Sequence, residues 1–400
     1  MQAPDHTVFN ILLSIEPHPD LKVLTGADRR PLARNLGLLA AGVAGTVVVA
    51  MVLFWPESDK MPDTSGLGFA SEVFAAEVTE VVEGTCSFAD DVTCRRVTFL
   101  ILEGPDAGTI TFEEWQLLPS SPEFELGDGV LLNVVPEAPA LERYQFSDRE
   151  RRPLLLIVTI VFLLVVIALA RIKGVGAVAG LIASLLVVFV YVVPAILTGR
   201  PPELVAIVGG SAIGIAALYL THGIKALTHV AAIGTFASLG LTVALSALVT
   251  RLADLSGFVS EEASFILVLG TVDLRGLLLA GMVLGALGAL DDVTVTQASA
   301  VWELNQANPR LGLSELFASG LRVGRDHVAA SVNTLLLAYA GAALPLLLLF
   351  GLSGLPLSVI ANSEVVAVEI IRTLVGSIGL ISAVPITTWL AARVVSPTPG

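Results

Sequence analysis

The sequence predicts an α-helical polytopic membrane protein of about eight transmembrane helices, with a small extracytoplasmic β domain between the first and second helices. Apolar residues make up 54% of the 400 residues and charged residues only 14%, whereas soluble proteins carry roughly 25% charged residues. Apolar runs of spanning length recur along the chain, and one polar segment holds nearly all of the net charge of −14. This composition excludes a disordered chain, a coiled coil and a basic nucleic-acid-binding protein.

The first apolar run, residues 36–55, follows a polar N-terminal segment, residues 1–35, that contains Arg29, Arg30 and Arg34. The run holds 20 residues without a charge, which is the length that a bilayer core requires. A cleaved signal peptide is the competing interpretation, but the run begins deep in the chain and no small-x-small cleavage site follows it directly. We therefore expect an uncleaved transmembrane anchor.

The polar segment, residues 56–152, carries 20 acidic and 7 basic residues. Alternating apolar and polar residues predict β-strands at 77–82, 96–102, 108–112 and 129–135. Four or five short strands in such a segment are typical of a small barrel of the OB type, and an irregular β-sandwich is the alternative. The segment therefore predicts a small acidic β domain.

Both cysteines of the chain, Cys86 and Cys94, lie in this segment. Their eight-residue spacing lacks the additional Cys or His that a zinc site needs. If the compartment oxidises thiols, we expect a disulfide between them. No metal site and no cofactor is predicted.

Residues 153–392 are almost entirely apolar and predict a seven-helix transmembrane domain. The predicted spans are 153–170, 175–196, 204–220, 227–248, one from about 276, 328–350 and 366–390. Together with the anchor they make eight spans, which places both termini on one side. In the short segments, eleven Lys and Arg residues fall on that side and two on the other. The positive-inside rule then places both termini, including the tail 393–400, in the cytoplasm and the β domain outside.

Two adjacent carboxylates, Asp291 and Asp292, fall within the sixth predicted span. A carboxylate inside a bilayer is costly and usually faces a partner or water. A helix that starts at Gly276 places Asp291 roughly 22 Å along its axis, in the inner third of a hydrocarbon core about 30 Å thick. The polar residues that follow within two turns are Thr294, Thr296 and Gln297.

Three interpretations of these acids are open. They form a buried polar site for a proton or cation, or they lie at the cytoplasmic interface and begin an amphipathic helix, or they take part in metal-dependent or aspartyl-protease catalysis. The last is the weakest, because the sequence GALDD lacks the GxGD pattern of such proteases. The short, glycine-containing run 277–290 also allows a broken or re-entrant helix.

The start of the seventh span adds three candidate residues, Arg325, His327 and Asn333. Arg325 is a counter-ion for Asp291 or Asp292, or else an ordinary positive-inside anchor. His327 is either an interfacial residue or a proton relay. Two charge pairs on the outer side, Asp273 with Arg275 and Glu369 with Arg372, are expected to be interfacial ion pairs, and an outer gate is the alternative.

In the fifth span, small hydroxyl residues recur on one helical face. Such a stripe either cements helix packing or lines a polar pathway. Its members are Thr228, Thr235, Ser238, Thr242 and Ser246. GxxxG spacings at 176–180, 210–214 and 281–285 likewise predict close helix packing.

Three stretches, residues 281–304, 323–350 and 369–388, closely resemble the YibE/F-like family of bacterial multipass membrane proteins. Further stretches upstream fit as well, so that the resemblance covers roughly residues 70–392. The resemblance implies a bacterial cytoplasmic (cell) membrane protein with this layout, and it carries over no catalytic role. It marks as the family's signature the segments around Asp291, Asp292, Gln297, Arg325, His327, Asn333 and Thr334.

The sequence therefore predicts a secondary transporter or channel-like permease for a small ion or solute, with a polar ion or proton site in the sixth helix. The alternative is a non-transporting scaffold or envelope-interaction protein that binds an extracytoplasmic protein partner through the β domain. The chain has no P-loop, dinucleotide fingerprint or nucleophile elbow, so we do not expect an enzyme. The lipid bilayer is its expected environment, nucleic acid is not an expected partner, and the oligomeric state is not indicated.

Overall fold

The computed structural model describes residues 31–62, 72–87, 89–119, 121–135, 138 and 143–396. The predictions for most of the N-terminal segment and the C-terminal tail lie outside these residues. The chain divides into two compact units, of which one is residues 63–166 and the other is the remainder. The chain is mostly helical and has a separate curled antiparallel sheet, so the predicted fold class is confirmed at that level.

The smaller unit contains one five-stranded antiparallel sheet in the order β3-β2-β1-β4-β5. Its strands are β1 (Val73–Cys86), β2 (Ala89–Ile101), β3 (Ile110–Gln116), β4 (Gly129–Val134) and β5 (Tyr144–Arg149). The sheet curls into a half-barrel with β3 and β5 at its two edges. A single curled sheet favours the predicted barrel over the predicted sandwich alternative.

The concave face of the half-barrel holds its core. Alternate residues of β2 point inward, so that Val97 and Phe99 are at most 1% exposed. Between the edges, the Phe146 N–H donates to Glu113 Oε2 at 2.7 Å, and the rings of Trp115 and Phe146 lie 5.9 Å apart. Burial raises the pKa of Glu113. Side chains therefore link the two edge strands across the open seam.

Cys86 and Cys94 form a disulfide, with their Cα atoms 4.9 Å apart. Cys86 is the last residue of β1 and Cys94 lies in β2, so the bond joins the two strands next to their connecting turn. Both side chains are buried. The bond also closes a short loop in the unfolded chain and lowers its conformational entropy. This is the main way in which a disulfide stabilises a small domain.

Glu114 on β3 provides a test of this unit. It accepts hydrogen bonds from Ser87 N at 2.9 Å and Arg96 Nε at 2.7 Å, and these bonds lower its pKa to about 2. Because the folded pKa lies below the ordinary 4.5, the carboxylate stabilises the fold above about pH 4.5, and this stabilisation is lost as the pH falls towards 2. We expect Glu114→Gln to lower the melting temperature at pH 6 and to flatten its fall between pH 4.5 and 2.

Fluorescence of Trp115, in a chain whose other three tryptophans are replaced by phenylalanine, measures this melting temperature. The exposed Glu77 on β1 supplies the control, and Glu77→Gln should keep the wild-type pH dependence. An equally steep acid transition in the Glu114→Gln variant would contradict the prediction.

The larger unit is helical. Its apolar helices are α1 (Pro31–Leu53), α2 (Arg152–Leu186, which begins in the smaller unit), α3 (Val193–Leu197), α4 (Pro202–His222), α5 (Ala226–Leu252), α6 (Glu261–Leu269), α7 (Leu274–Ala307), α8 (Leu313–Ala342), α9 (Leu344–Leu352), α10 (Leu357–Asn362) and α11 (Glu364–Val395). Among the described residues, six helices are long and apolar enough to cross a membrane, or seven if the bent pair α8 and α9 counts as one span.

The helix α2 runs through a π-helical segment, Val187–Val192, into α3, and together they form an apolar element of 46 residues. At about 1.5 Å per residue this element measures roughly 69 Å, which is more than twice the thickness of a bilayer core. The backbone of Arg171 leaves the helical region, with φ 51° and ψ −127°. This break lies where the sequence predicts the turn between the second and third spans.

The sixth predicted span is a single continuous helix, α7, of 34 residues. The alternative of a broken or re-entrant helix at residues 277–290 is therefore wrong. Two of the glycines of this run allow neighbouring side chains to approach: a Cβ at Gly285 would lie 2.6 Å from the Tyr339 hydroxyl, and a Cβ at Gly281 would lie 3.7 Å from Arg372 Nη2. Side chains of α8 and α11 therefore contact α7 at glycines, while its backbone stays helical.

The seventh predicted span, 328–350, differs from the structure at its start and by a bend within it. The helix α8 begins at Leu313, a full 15 residues earlier, and bends by 65° into α9 after Ala342. Pro345 in the first turn of α9 accounts for the bend, because proline removes a backbone donor and fits only at a helix start. The basic stretch 310–325 is therefore largely helical and not a loop.

The centre of the helical unit is formed by α5, α7 and α11, which approach one another through small residues. A Cβ at Gly379 of α11 would lie 2.0 Å from Thr242 Oγ1 of α5, and a Cβ at Gly234 of α5 would lie 2.2 Å from Thr387 Oγ1 of α11. Each glycine thus provides the space for a threonine of the opposite helix. This is the helix packing that the hydroxyl stripe predicts.

We expect Gly379→Leu to destabilise the protein by about 1–3 kcal/mol or more, because the added side chain overpacks the contact with Thr242. Gly240 is the matched control, since it lies in α5 with no heavy atom within 4 Å of its added Cβ, and Gly240→Leu should be neutral or slightly stabilising. Thermal unfolding of the detergent-purified variants measures both effects. Equal melting temperatures would show that the α5–α11 contact does not limit stability.

Candidate functional site

The two adjacent acids of α7 face different surroundings. Consecutive helical residues point about 100° apart, because 3.6 residues make one turn. Asp291 points towards α4, where a Cβ at Gly214 would lie 3.6 Å from Oδ1 and 3.7 Å from Oδ2. Its Oδ1 is buried and has no hydrogen-bond partner among the described residues. The side chain of Asp292 is 74% exposed, so the predicted pair is two separate groups.

Two threonines accompany Asp291. The hydroxyls of Thr235 on α5 and Thr294 on α7 lie 2.7 Å apart, and both residues are fully buried. Thr294 Oγ1 also donates to the backbone oxygen of Asp291 at 3.1 Å, and the Thr235 hydroxyl faces the carboxylate. The carboxylate therefore lies against α4 and α5, with hydroxyl groups as its polar neighbours.

Asp291 is central along two of the packed helices. It lies at the midpoint of α7, and its neighbour Gly214 lies near the middle of α4. The residues beyond it are packed as well: Gln297 is 3% exposed, and Trp302 is 4% exposed. The helix thus continues through the packed unit for several turns after the acid.

Gln297 joins three helices. Its Nε2 donates to the backbone oxygen of Gly320 on α8 and to Thr388 Oγ1 on α11, both at 2.7 Å. A Cβ at Gly324 would lie 2.8 Å from Gln297 Oε1 and 2.4 Å from Val384 Cγ1, so only glycine permits this approach of α8. We call this set of contacts the Gln297 clasp.

The hydroxyl stripe of α5 is buried along its whole length, because each predicted member is at most 1% exposed. Thr250 continues it by one turn. Among the described residues, several of its oxygens and two from α11 are buried without a hydrogen-bond partner; they belong to Thr228, Ser238, Ser246, Thr250, Ser377 and Thr387. A row of unpaired hydroxyls therefore follows the contact between α5 and α11 and passes the level of Asp291.

The remaining predicted residues do not join this centre. Asp292 Oδ2 lies 3.9 Å from His327 Nε2, which is too long for a hydrogen bond. Thr296, Arg325 and Asn333 are exposed on the outward faces of their helices. Arg325 forms no ion pair with a described residue, so the structure does not pair it with Asp291 or Asp292. Positions separated by one or two residues around a helix cannot all face one site.

The two predicted charge pairs have different outcomes. Glu369 Oε1 and Arg372 Nη1 lie 2.9 Å apart, as predicted, and the guanidinium lies 5.8 Å from the centre of the Tyr339 ring. Asp273 does not pair with the Arg275 side chain but caps α7 by accepting from the backbone N–H groups of Arg275 and Gly276. The guanidinium of Arg275 binds Asp254 instead, at 3.2 Å. The N-terminal cap satisfies Asp273 locally and leaves Arg275 free to reach another loop.

Sequence analysis missed the partners of Gln297. Gly320 and Gly324 have the same GxxxG spacing as the glycines that were singled out, but they precede the predicted start of the span. Thr388 is one of two adjacent threonines in an apolar helix. Both features are visible in the sequence, and a span beginning at residue 313 would have connected them to the site.

No group of three His, Cys, Asp or Glu side chains that could hold a metal ion occurs among the described residues. The centre consists of one carboxylate, hydroxyls, one amide and close-packed glycines. Long apolar helices with such a buried polar centre indicate a polytopic membrane protein. The family model for YibE/F-like protein matches residues 158–397, more than half of the chain, and the chain therefore belongs to this family.

The family match confirms the resemblance seen in the sequence, although it begins at residue 158 and not near residue 70. The β domain and α1 thus lie outside the matched residues. No curated protein and no solved structure matches the chain.

The clasp yields a prediction on stability. Gln297→Leu keeps a similar volume but leaves the Gly320 oxygen and the Thr388 hydroxyl without their donor, so we expect a loss of about 1–3 kcal/mol. The adjacent, exposed Thr296 is the control, and Thr296→Val should remain within about 0.5 kcal/mol of wild type. Thermal unfolding in detergent compares the two. A Gln297→Leu variant as stable as Thr296→Val would mean that the clasp contributes nothing.

Proposed function

We propose that this protein is a secondary transporter or channel-like permease of the bacterial cytoplasmic membrane, and that Asp291 binds the proton or small cation that it carries. The observation that supports this most is the buried Asp291 Oδ1 without a hydrogen-bond partner among the described residues. An ionised carboxylate in an apolar interior is costly unless it is paired. Binding of a proton or a cation at Asp291 would therefore lower the free-energy cost of this carboxylate.

The proposal includes the predicted topology of eight spans. Dividing the 46-residue apolar element at Arg171 gives two helices of spanning length, and counting α8 with α9 as one span brings the total to eight. Both termini then lie in the cytoplasm, where the positive-inside rule places them. In this arrangement the C-terminal end of α5 and the N-terminal ends of α7 and α11 lie on the outer side.

The buried hydroxyls of α5 and α11 supply a route to Asp291 from that outer side. Thr250, Ser246, Thr242, Ser238 and Thr235 follow α5 inward at intervals of about one turn, and Ser377 of α11 adds another buried oxygen. A hydroxyl both donates and accepts, so a row of them suits a proton or a partly dehydrated cation. The alternative is that these hydroxyls contribute to helix packing alone. The flux experiment below distinguishes a transport pathway from a packing role.

The Gln297 clasp occupies the opposite side of Asp291. It joins α7, α8 and α11 by hydrogen bonds and close-packed glycines, and it lies between the acid and the cytoplasmic ends of these helices. In a carrier, such a clasp has to open for release to the cytoplasm. The state described here would then be closed on the inner side.

A scaffold or envelope-interaction protein remains the second candidate. The observation in its favour is a β domain with its own core and disulfide. The family match, however, covers the helical part and omits the β domain. We therefore assign the activity that the family shares to the helices, and a partner of the β domain would be an addition to it.

The test is ion and proton flux into proteoliposomes of the purified protein under imposed pH and cation gradients. We expect wild-type protein to support flux and Asp291→Asn to lose it, because the variant cannot bind the ion through a carboxylate. Asp292→Asn is a matched control one residue away, exposed and outside the centre, and it should retain flux within about a factor of two. All three proteins must show the same melting temperature and the same amount reconstituted.

Equal loss of flux in both variants would contradict the assignment to Asp291. No flux above empty liposomes for wild type, under any gradient, would contradict the permease. If cellular function then survives Asp291→Asn but not deletion of residues 72–149, the scaffold becomes the better proposal.

A further inference from the structure

A cavity of about 750 Å³ lies between the N-terminal half of α1 and the adjoining ends of α4 and α5. Its wall is mostly apolar and includes Leu38, Ala41 and Ala44 of α1 and Ile215 of α4. It is an open groove and not an enclosed void, and its size falls within the range of about 300–1,000 Å³ typical of small-ligand sites. It is separate from the Asp291 centre.

The polar residues of the groove are concentrated at one end. Arg34 stands near the start of α1, and Lys225 directly precedes α5. Among residues 31–396 as the structure describes them, no Asp or Glu lines the groove. Two cationic side chains therefore stand at the mouth of an apolar groove, and its described lining holds no acidic residue to neutralise them.

A histidine of α5, His229, lies at the basic end of the groove and contacts the other two helices. The Tyr219 hydroxyl and His229 Nδ1 lie 2.8 Å apart, and a Cβ at Gly37 would lie 3.1 Å from His229 Nε2. The absence of a side chain at Gly37 thus lets α1 approach the imidazole ring. The groove is built by tertiary contacts among three helices and does not rest on one exposed helix face.

We propose that this groove binds an anionic phospholipid of the inner leaflet, with its phosphate at Arg34 and Lys225 and part of an acyl chain along Leu38, Ala41 and Ile215. The charge selects the ligand, because basic pockets between transmembrane helices on the cytoplasmic side bind anionic headgroups. The apolar wall distinguishes a lipid from a free phosphate ion, since it offers contact area only to a hydrocarbon chain. The site does not depend on whether the protein transports an ion.

The experiment measures lipid binding to the full-length, detergent-purified protein by native mass spectrometry and by the shift in melting temperature. The probes are phosphatidylglycerol, phosphatidylcholine with the same acyl chains, and inorganic phosphate. We expect wild-type protein to retain phosphatidylglycerol and to gain melting temperature with it, but not with the other two. Arg34→Gln/Lys225→Gln should lose roughly 30-fold in affinity for phosphatidylglycerol, about fivefold for each charge.

Two further variants keep the test decisive. Ala41→Trp fills the exposed apolar wall and leaves both charges in place, and it should weaken phosphatidylglycerol binding as well. Arg322→Gln/Arg325→Gln removes two exposed charges of α8 that do not line the groove, and it should bind like wild type. Equal binding of phosphatidylcholine and phosphatidylglycerol, stabilisation by inorganic phosphate alone, or equal losses in the α8 control would each overturn the proposal.

Discussion

The close approach of α5, α7 and α11 is the constraint on which the rest of the helical unit depends. In an apolar solvent, burial of hydrocarbon side chains drives helix association only weakly, so backbones must come near enough for dispersion and short polar contacts to act. Gly379 and Gly234 provide that proximity by receiving Thr242 and Thr387. Because these helices are so close, the hydroxyls of Thr235 and Thr294 meet, and the half-buried side chain of Asp291 lies against α4 and α5.

The same packing explains how a small number of polar groups form one distinct site. The buried Oδ1 of Asp291 has room beside α4 only because Gly214 carries no side chain. The Gln297 amide bonds to Gly320 and Thr388 only because α8 approaches through glycines. Small residues thus decide where polar atoms are enclosed, and the polar residues alone do not define the site.

Much of this fold is accessible from sequence because long apolar runs and alternating strands are local signals. The strands, the helix order, the buried stripe of α5 and the Glu369–Arg372 pair follow from spacing alone.

The structure does not bring Asp291, Asp292 and Arg325 together as one site. Their grouping relied on nearness in sequence, whereas consecutive residues of a helix point in different directions. The start of α8 was missed because charged residues near Arg322 resemble a loop, although they lie on the exposed side of a helix. Contacts such as Gln297 with Thr388 join residues 91 positions apart, and no local pattern reports them.

The disulfide of the β domain has a consequence for the proposed orientation of the chain. A bond between Cys86 and Cys94 persists only where thiols are kept oxidised. The segment that carries it precedes every helix from α2 onward, and the proposed topology places it on the outer side. A disulfide in intact cells would agree with that placement, whereas two reduced thiols would contradict it. One thiol determination therefore tests the proposed orientation without any measurement on the helices.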